Sequence, residues 1–187
     1  MKKATPIYQV QIALRGFKPK IWRRIQLSSD TLFLDFHRIV QTTMGWTDSH
    51  LHQFVKDGTF YSTRMFGDDT WGEMGAVDYK KMKISDLLKS EKDKMIYEYD
   101  FGDSWEHQII LEKILSVDDK IKYPICLTGK MSCPPEDCGG VWGYADILEI
   151  LKQPDHEEYE HYIDWMGEEF DPTLFDKDEV NQALQGK

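Results

Sequence analysis

The 187-residue chain is poor in the features that announce the commoner enzyme classes. It has no Gly-rich phosphate loop, no nucleophile elbow, no paired-histidine zinc-protease signature and no helix with a dense basic stripe. No apolar run approaches the length of a membrane span, and "MKKATPIYQVQIAL" alternates polar with apolar residues where a signal peptide would be continuously apolar. Cysteine is scarce as well. Three residues, an odd number, fit a reducing compartment better than a secreted disulfide framework, so the expected address is the cytoplasm and no membrane partner is expected. There is no internal repeat and no low-complexity linker, which points to a single domain over 1–187.

What is present is a hydrophobic content of 41%, enough for one substantial core, and a net charge of −10 that is unevenly spread. Residues 1–45 carry eight Lys/Arg and two Asp/Glu, so the remaining segment is strongly acidic. The basic stretch "RGFKPKIWRR" admits two readings. Arg15, Lys18, Lys20, Arg23 and Arg24 either track phosphates, with a tryptophan for stacking, or lie on solvated strand edges and pair with the acidic C-terminal region. The acidic remainder would repel a polyanion, which favours the second.

Residues 7–15 alternate with Tyr8, Val10, Ile12 and Leu14 on one face, and "KIWRRIQL" sets Ile21, Arg23, Ile25 and Leu27 against Trp22, Arg24 and Gln26. Gly16 and Pro19 between them make a hairpin. From 33 to 44 the spacing turns helical, and Gly45 suits the left-handed residue beyond a helix end. Asp57-Gly58 is the turn of a second hairpin. Residues 63–82 read as an extended excursion, and "SDLL" as a short helix near 85–89. Two strands flank "GDS" at 102–104. Three helical stripes follow: Tyr144, Ile147, Leu148 and Leu151; Tyr159, Tyr162, Ile163 and Met166; Val180, Ala183 and Leu184. Strands early and helices late predict an α+β fold: an antiparallel twisted sheet of hairpins with a long first helix and C-terminal helices packed on it.

Chemistry-bearing residues gather in three places. In "YEYDFGDSWEH", Asp100 and Asp103 straddle Gly102, with Tyr99, Trp105 and His107 in the flanking strands. Carboxylates beside a histidine can exchange protons or hold a divalent cation, although aspartate next to glycine also caps turns and a histidine among apolar residues is often hydrogen-bonded core. In "CPPEDC", Cys133 and Cys138 have four residues between them and enclose Glu136 and Asp137. That spacing suits two thiolates on one zinc, with Cys126 or a histidine completing the set, or else two buried thiols in a proline-stiffened loop. His50 and His52, two apart in a strand, point to one face. The carboxylate-rich "DHEEYEHYIDWMGEEFD" presents a solvated acidic face or a docking surface for a basic partner.

"YDFGDSWEH" at 99–107, "CPPEDCGG" at 133–140 and "FDPTLFD" at 170–176, with "IWRRI" and "MGWTDSHLHQF", together resemble the plasmid pRiA4b open-reading-frame-three-like family. The resemblance runs from about Tyr8 to Leu184. It implies that Tyr99, Asp100, Phe101, Gly102, Asp103, Trp105 and His107, with Cys133, Pro134, Glu136, Asp137, Cys138 and Gly139, are signature positions. It also brings an association with plasmids and mobile elements, and for some members a resolvase label. That label conflicts with the residues present, since a serine recombinase needs an activated serine among arginines and a basic DNA-binding helix. The expected function is a non-catalytic binding module for a protein or small molecule, with Tyr99, Asp100, Asp103, Trp105, His107, Glu136 and Asp137 as candidate contacts and no resident cofactor. A metal-dependent hydrolase built on Asp100, Asp103 and His107, with zinc on Cys133, Cys138, His50 or His52, is the first alternative. Nucleic-acid binding through the basic N-terminal third is the second.

Overall fold

A computed structural model describes residues 4–63, 75–167 and 170–186. The chain opens on two antiparallel strands, β1 (Ile7–Leu14) and β2 (Trp22–Ser28). β2 alternates between buried and half-buried residues along its length, which is the period the sequence predicts. Helix α1 (Phe33–Met44) ends at Gly45, whose φ of 89° is the left-handed conformation that glycine adopts without a Cβ penalty. The expectation of a long first helix needs correction. The first element is a strand, and α1 has 12 residues, an ordinary three turns.

The remaining strands are β3 (His52–Lys56), β4 (Thr59–Ser62), β5 (Val77–Asp78), β6 (Lys94–Tyr99), β7 (Trp105–Leu115) and β8 (Ile125–Lys130). They form one eight-stranded sheet in the order β5-β4-β3-β6-β7-β1-β2-β8. All described ladders are antiparallel except β4–β5. Asp57 and Gly58, both at positive φ, make the β3–β4 turn. Of the excursion expected over 63–82, residues 64–74 lie outside the described residues; beyond them β5 joins the sheet and Tyr79 is fully buried. The short helix near 85–89 is found one residue earlier, as α2 (Ile84–Leu87). Helices α3 (Gly140–Ile150), α4 (Tyr159–Met166) and α5 (Lys177–Leu184) correspond to the three predicted stripes.

Cross-strand register explains what the core contains. Tyr97 lies opposite both Phe54 and His107, and His107 opposite Leu14, so one inward-facing row runs across four strands. Phe33 and Phe36 of α1 close over Phe54 at 4.7 and 5.9 Å between ring centroids. Arg23 stands on the same inner face and is almost wholly buried. Its Nε donates to Thr43 O (2.9 Å), Nη1 donates to Trp22 O and Lys130 O (3.0 Å each), and the guanidinium lies 4.3 Å from the Phe175 ring centroid. It therefore serves α1 as a C-terminal cation supplied from another element, where the helix carbonyls concentrate negative charge.

The 170–176 string has a structural explanation of the same kind. Ser132 Oγ donates to Asp171 O (2.7 Å) and Leu174 O (3.0 Å), and a Cβ on Gly129 would meet the Phe175 ring at 2.8 Å, so glycine makes room for that ring at the end of β8. Asp176 then caps α5 by accepting from the amides of Asp178 and Glu179.

β8 is an edge strand, and its main chain is closed by a side chain. Asn181 of α5 accepts from Cys126 N (2.7 Å) and donates to Cys126 O (3.0 Å), taking the place of a neighbouring strand. Asn181→Ala leaves both groups unpaired, and we expect a loss of about 1–3 kcal/mol in urea denaturation. Wild-type stability in that variant would show the edge is not held this way.

Candidate functional site

The β6–β7 connection sets the geometry of everything around it. Tyr99 and Trp105 are paired across the ladder with both rings buried, which leaves residues 100–104 to turn outside the core. Asp100, at φ 57°, accepts from Gly102 N through Oδ1 (2.9 Å), and its own amide donates to Leu51 O (2.8 Å). Trp46 covers the pair from the segment after α1. Its ring centroid lies 5.1 Å from that of Tyr99, 5.7 Å from Trp105 and, edge to face, 5.1 Å from His107, while Nε1 donates to Pro134 O (2.9 Å).

That last bond brings in the cysteine loop. Tyr99 Oη–H donates to Glu136, Thr47 Oγ1 donates to the same carboxylate at 2.5 Å, and Gly139 N donates to Asp103 Oδ2 (3.1 Å). The fit is close enough to exclude side chains. A Cβ on Gly140 would stand 2.4 Å from Asp103 O, and one on Gly143 would stand 1.9 Å from Cys138 O. The segments 46–50, 99–105 and 133–143 thus form one assembly. Burial works to raise the Glu136 carboxyl, but hydrogen bonds from Thr47 and Tyr99 outweigh it and hold its pKa below the usual carboxylate value.

Two polar clusters occupy the outer side of this assembly. In the first, the His50 ring lies between two carboxylates, with Nδ1 3.7 Å from Asp100 Oδ2 and Nε2 3.2 Å from Asp137 Oδ1. The main chain behind it is fixed, because Ser49 N and His50 N both donate to Tyr99 Oη (2.9 and 3.3 Å). Asp48, Asp100 and Asp137 all have φ near 60°, a region sparsely used by residues other than glycine.

In the second cluster, His37 and His52 stack with centroids 3.4 Å apart and planes 5° from parallel. The proton positions follow from the surrounding bonds. Gln41 Oε1 accepts from Asp48 N (3.0 Å), so its Nε2 donates to Tyr97 Oη (2.8 Å); Tyr97 then donates to His37 Nδ1 (2.8 Å), leaving Nε2–H to donate to Asp48 Oδ1 (2.7 Å). His52 pairs through Nε2 with the Tyr79 hydroxyl. A cleft of about 210 Å³ separates the clusters, lined among the described residues by Asp48, His50, Leu51, His52, Ser62, Thr63 and Phe101, none of them Lys or Arg.

Several sequence candidates stand elsewhere than expected. His107 is fully buried, with Nδ1 3.0 Å from Trp105 O, and burial pulls its pKa down to about 4; it is a neutral core residue. The hydrolase centre of Asp100, Asp103 and His107 is not assembled among the described residues, since Asp103 is engaged with Gly139 and the potential three-residue ligand groups are His37/Asp48/His52 and His50/Asp100/Asp137. Tyr99 and Trp105 offer no ring surface to a ligand. Cys133 and Cys138 join neither ligand group, and burial pushes both thiols up, that of Cys138 to about 12, so neither is poised as a thiolate. Among the described residues, Arg15 and Arg24 are engaged within the sheet, and Arg23 meets the Phe175 ring of the C-terminal region. Arg15 pairs with Glu106 (2.5 Å) and Arg24 with Glu112 (2.6 Å), both on β7. Sequence reasoning did not single out His37, Asp48, Trp46 or Tyr79 as site residues, although Trp46 and Asp48 lie within the quoted "MGWTDSHLHQF".

The chain belongs to the plasmid pRiA4b ORF-3-like protein family, whose model matches residues 6–179. It is 30% identical over 181 residues to the uncharacterized protein y4hQ of Sinorhizobium fredii (strain NBRC 101917 / NGR234), covering 95% of this chain and 90% of the relative. It is also similar to MM3350, a protein of unknown function from Methanosarcina mazei Go1. There the identity is 40% and the TM-score 0.83, over 95% of this chain and 99% of the other.

Three buried imidazoles make stability pH-dependent. Burial lowers the pKa of His37, of His52 to about 3 and of His107 to about 4, while the unfolded chain titrates near 6.5. Below that value the unfolded state binds protons that the native state excludes, so stability falls with pH. We expect the unfolding free energy to drop by at least about 1.4 kcal/mol per pH unit between about pH 6 and 4. A flat profile in denaturant titrations would show that these rings are charged or solvated in the native state.

Proposed function

We propose that this chain is a non-catalytic, cytosolic binding module, a single domain that recognises a cationic group at the His50 cleft. The observation that carries this reading is the arrangement of carboxyl groups. Asp100 and Asp137 flank the His50 imidazole and Asp48 lines the same cleft, each carried on a main-chain turn, no Lys or Arg is among the described residues of the cleft wall, and half-exposed Leu51 and Phe101 add an apolar rim. His50 lies in "MGWTDSHLHQF", and Asp100 and Asp137 lie in the strings at 99–107 and 133–140, so all three come from segments that carry the family resemblance.

Support for catalysis is thinner. The thiols are held protonated by burial, His107 is shielded from solvent, and the Asp48–His37–Tyr97 chain ends in the core without a nucleophile among its described partners. The nucleic-acid reading is weakened by the engagement of Arg15, Arg23 and Arg24 within the protein. No helix among the described residues is long and apolar enough to cross a membrane. The family's association with mobile elements gives a setting for such a module and does not bear on the chemistry of the cleft.

A lysine-rich decapeptide titrated into ¹⁵N-labelled protein tests the reading, with a glutamate-rich decapeptide as control. Amide shifts should concentrate at Asp48, His50, Asp100, Phe101 and Asp137, and Asp137→Lys should weaken binding by about tenfold, equivalent to about 1.4 kcal/mol. Shifts spread elsewhere, or an affinity unaffected by charge reversal, would contradict it.

A further inference from the structure

Of the two clusters among the described residues able to offer three ligands, one has the geometry of a metal site and the other does not. At His37/Asp48/His52 the rings are parallel and stacked, so their in-plane nitrogen lone pairs run side by side instead of converging. The proton on His37 Nε2 is moreover fixed by the Gln41–Tyr97 chain; moving it to Nδ1 would turn that nitrogen into a second donor toward Tyr97 Oη and displace the hydroxyl proton from its acceptor.

The other cluster differs in each respect. One donor atom from each of His50, Asp100 and Asp137 lies within 4.8 Å of the others. His50 Nε2 is shielded from solvent and makes no hydrogen bond, although Asp137 Oδ1 is only 3.2 Å away. That separation matches the roughly 3.3 Å between neighbouring ligands on a tetrahedral ion with bonds of about 2.0–2.1 Å. Asp100 is positioned by its turn, with Oδ1 engaged at Gly102 N and Oδ2 turned toward His50, while Asp137 sits at the solvent boundary with its carboxylate 73% exposed. The backbone carrying His50 is anchored twice to Tyr99 Oη, so an ion held between Nε2 and Asp137 gains Asp100 as its third ligand once the Oδ2 that now faces Nδ1 swings toward it.

We propose that His50, Asp100 and Asp137 bind a divalent first-row transition ion of the zinc class. One imidazole and two carboxylates form a nitrogen and oxygen donor set suited to such ions, and they leave at least one coordination position open toward the cleft. The proposal rests on the reading of the His50 cleft as a cation-recognition site and names the cation.

Zinc chloride alone, titrated calorimetrically into chelator-treated full-length protein, is the probe, with Co²⁺ substitution as a spectroscopic readout. We expect one ion per chain, an affinity weakened at least about tenfold by His50→Ala and by Asp137→Asn, and Co²⁺ bands free of the intense near-ultraviolet thiolate transition. Asp137 is exposed, so its variant should keep wild-type stability and separate ligand loss from unfolding. Absence of binding at millimolar zinc, wild-type affinity in both variants, or a thiolate band pointing to the cysteines would each overturn the assignment. The lysine-peptide titration separates the two levels. If peptide shifts persist at the cleft without zinc binding, only the metal assignment fails; if both are lost, the cation-recognition reading fails with it.

Discussion

The Cys133–Gly140 loop lies on the β6–β7 turn at distances that admit no additional carbon atom. Gly140 faces the Asp103 carbonyl where a Cβ would intrude to 2.4 Å, and the neighbouring Gly139 amide donates to the Asp103 carboxylate. Glu136, two residues past the Pro134 carbonyl that receives the Trp46 indole, takes hydrogen bonds from Tyr99 and Thr47. Because Tyr99 also holds the amides of Ser49 and His50, a single phenol ties three segments distant in sequence to one another. Without this junction Asp137 would have no fixed relation to His50, and the polar cluster would be three unconnected side chains.

Burial and charge divide the polar residues of the chain into two populations. Those facing inward are kept neutral or are satisfied by fixed partners: His37, His52 and His107 as uncharged imidazoles, Arg23 by the carbonyls of Thr43 in α1, Trp22 in β2 and Lys130 in β8. Those at the turn tips are oriented by main-chain geometry, as with Asp48, Asp100 and Asp137 in the left-handed region, and of these Asp48 and Asp137 reach water while Asp100 is largely covered. The proposed recognition surface draws on the second group, while the first sets its position. This accounts for a family signature that mixes residues with no solvent exposure, such as Trp105 and His107, with residues that reach solvent.

Much of the sheet was legible in the sequence because the two-residue period leaves a direct trace. The alternation in "KIWRRIQL" placed even Arg23 on the inner face, and Gly45, Asp57-Gly58 and Asp103-Ser104 marked breaks that the backbone makes. The same alternation around Gly102 foretold the β6–β7 hairpin, yet its consequence for His107 and Trp105 was drawn too weakly, since residues two apart that face the core cannot also present a ligand surface. The site itself was half legible. Asp100, Asp137, His50 and His52 stood out by residue type, but their partition into two clusters depends on contacts spanning tens of residues in sequence, such as His37 with Tyr97 and Trp46 with Pro134. Cysteine spacing left both readings open for a related reason. Four intervening residues permit a shared ion, whereas the packing of Gly143 against Cys138 O and the burial of both thiols decide the matter in three dimensions.

The central claim is that the loop and the hairpin are energetically one unit joined through Tyr99 and Glu136. A double-mutant cycle in denaturant titrations, with Tyr99→Phe, Glu136→Gln and the double variant, measures that link directly. The account predicts a coupling free energy of about 1–3 kcal/mol between the two positions. Additivity within about 0.5 kcal/mol would show that the loop rests on the turn without being held by it, and would remove the basis for a preorganised site at His50.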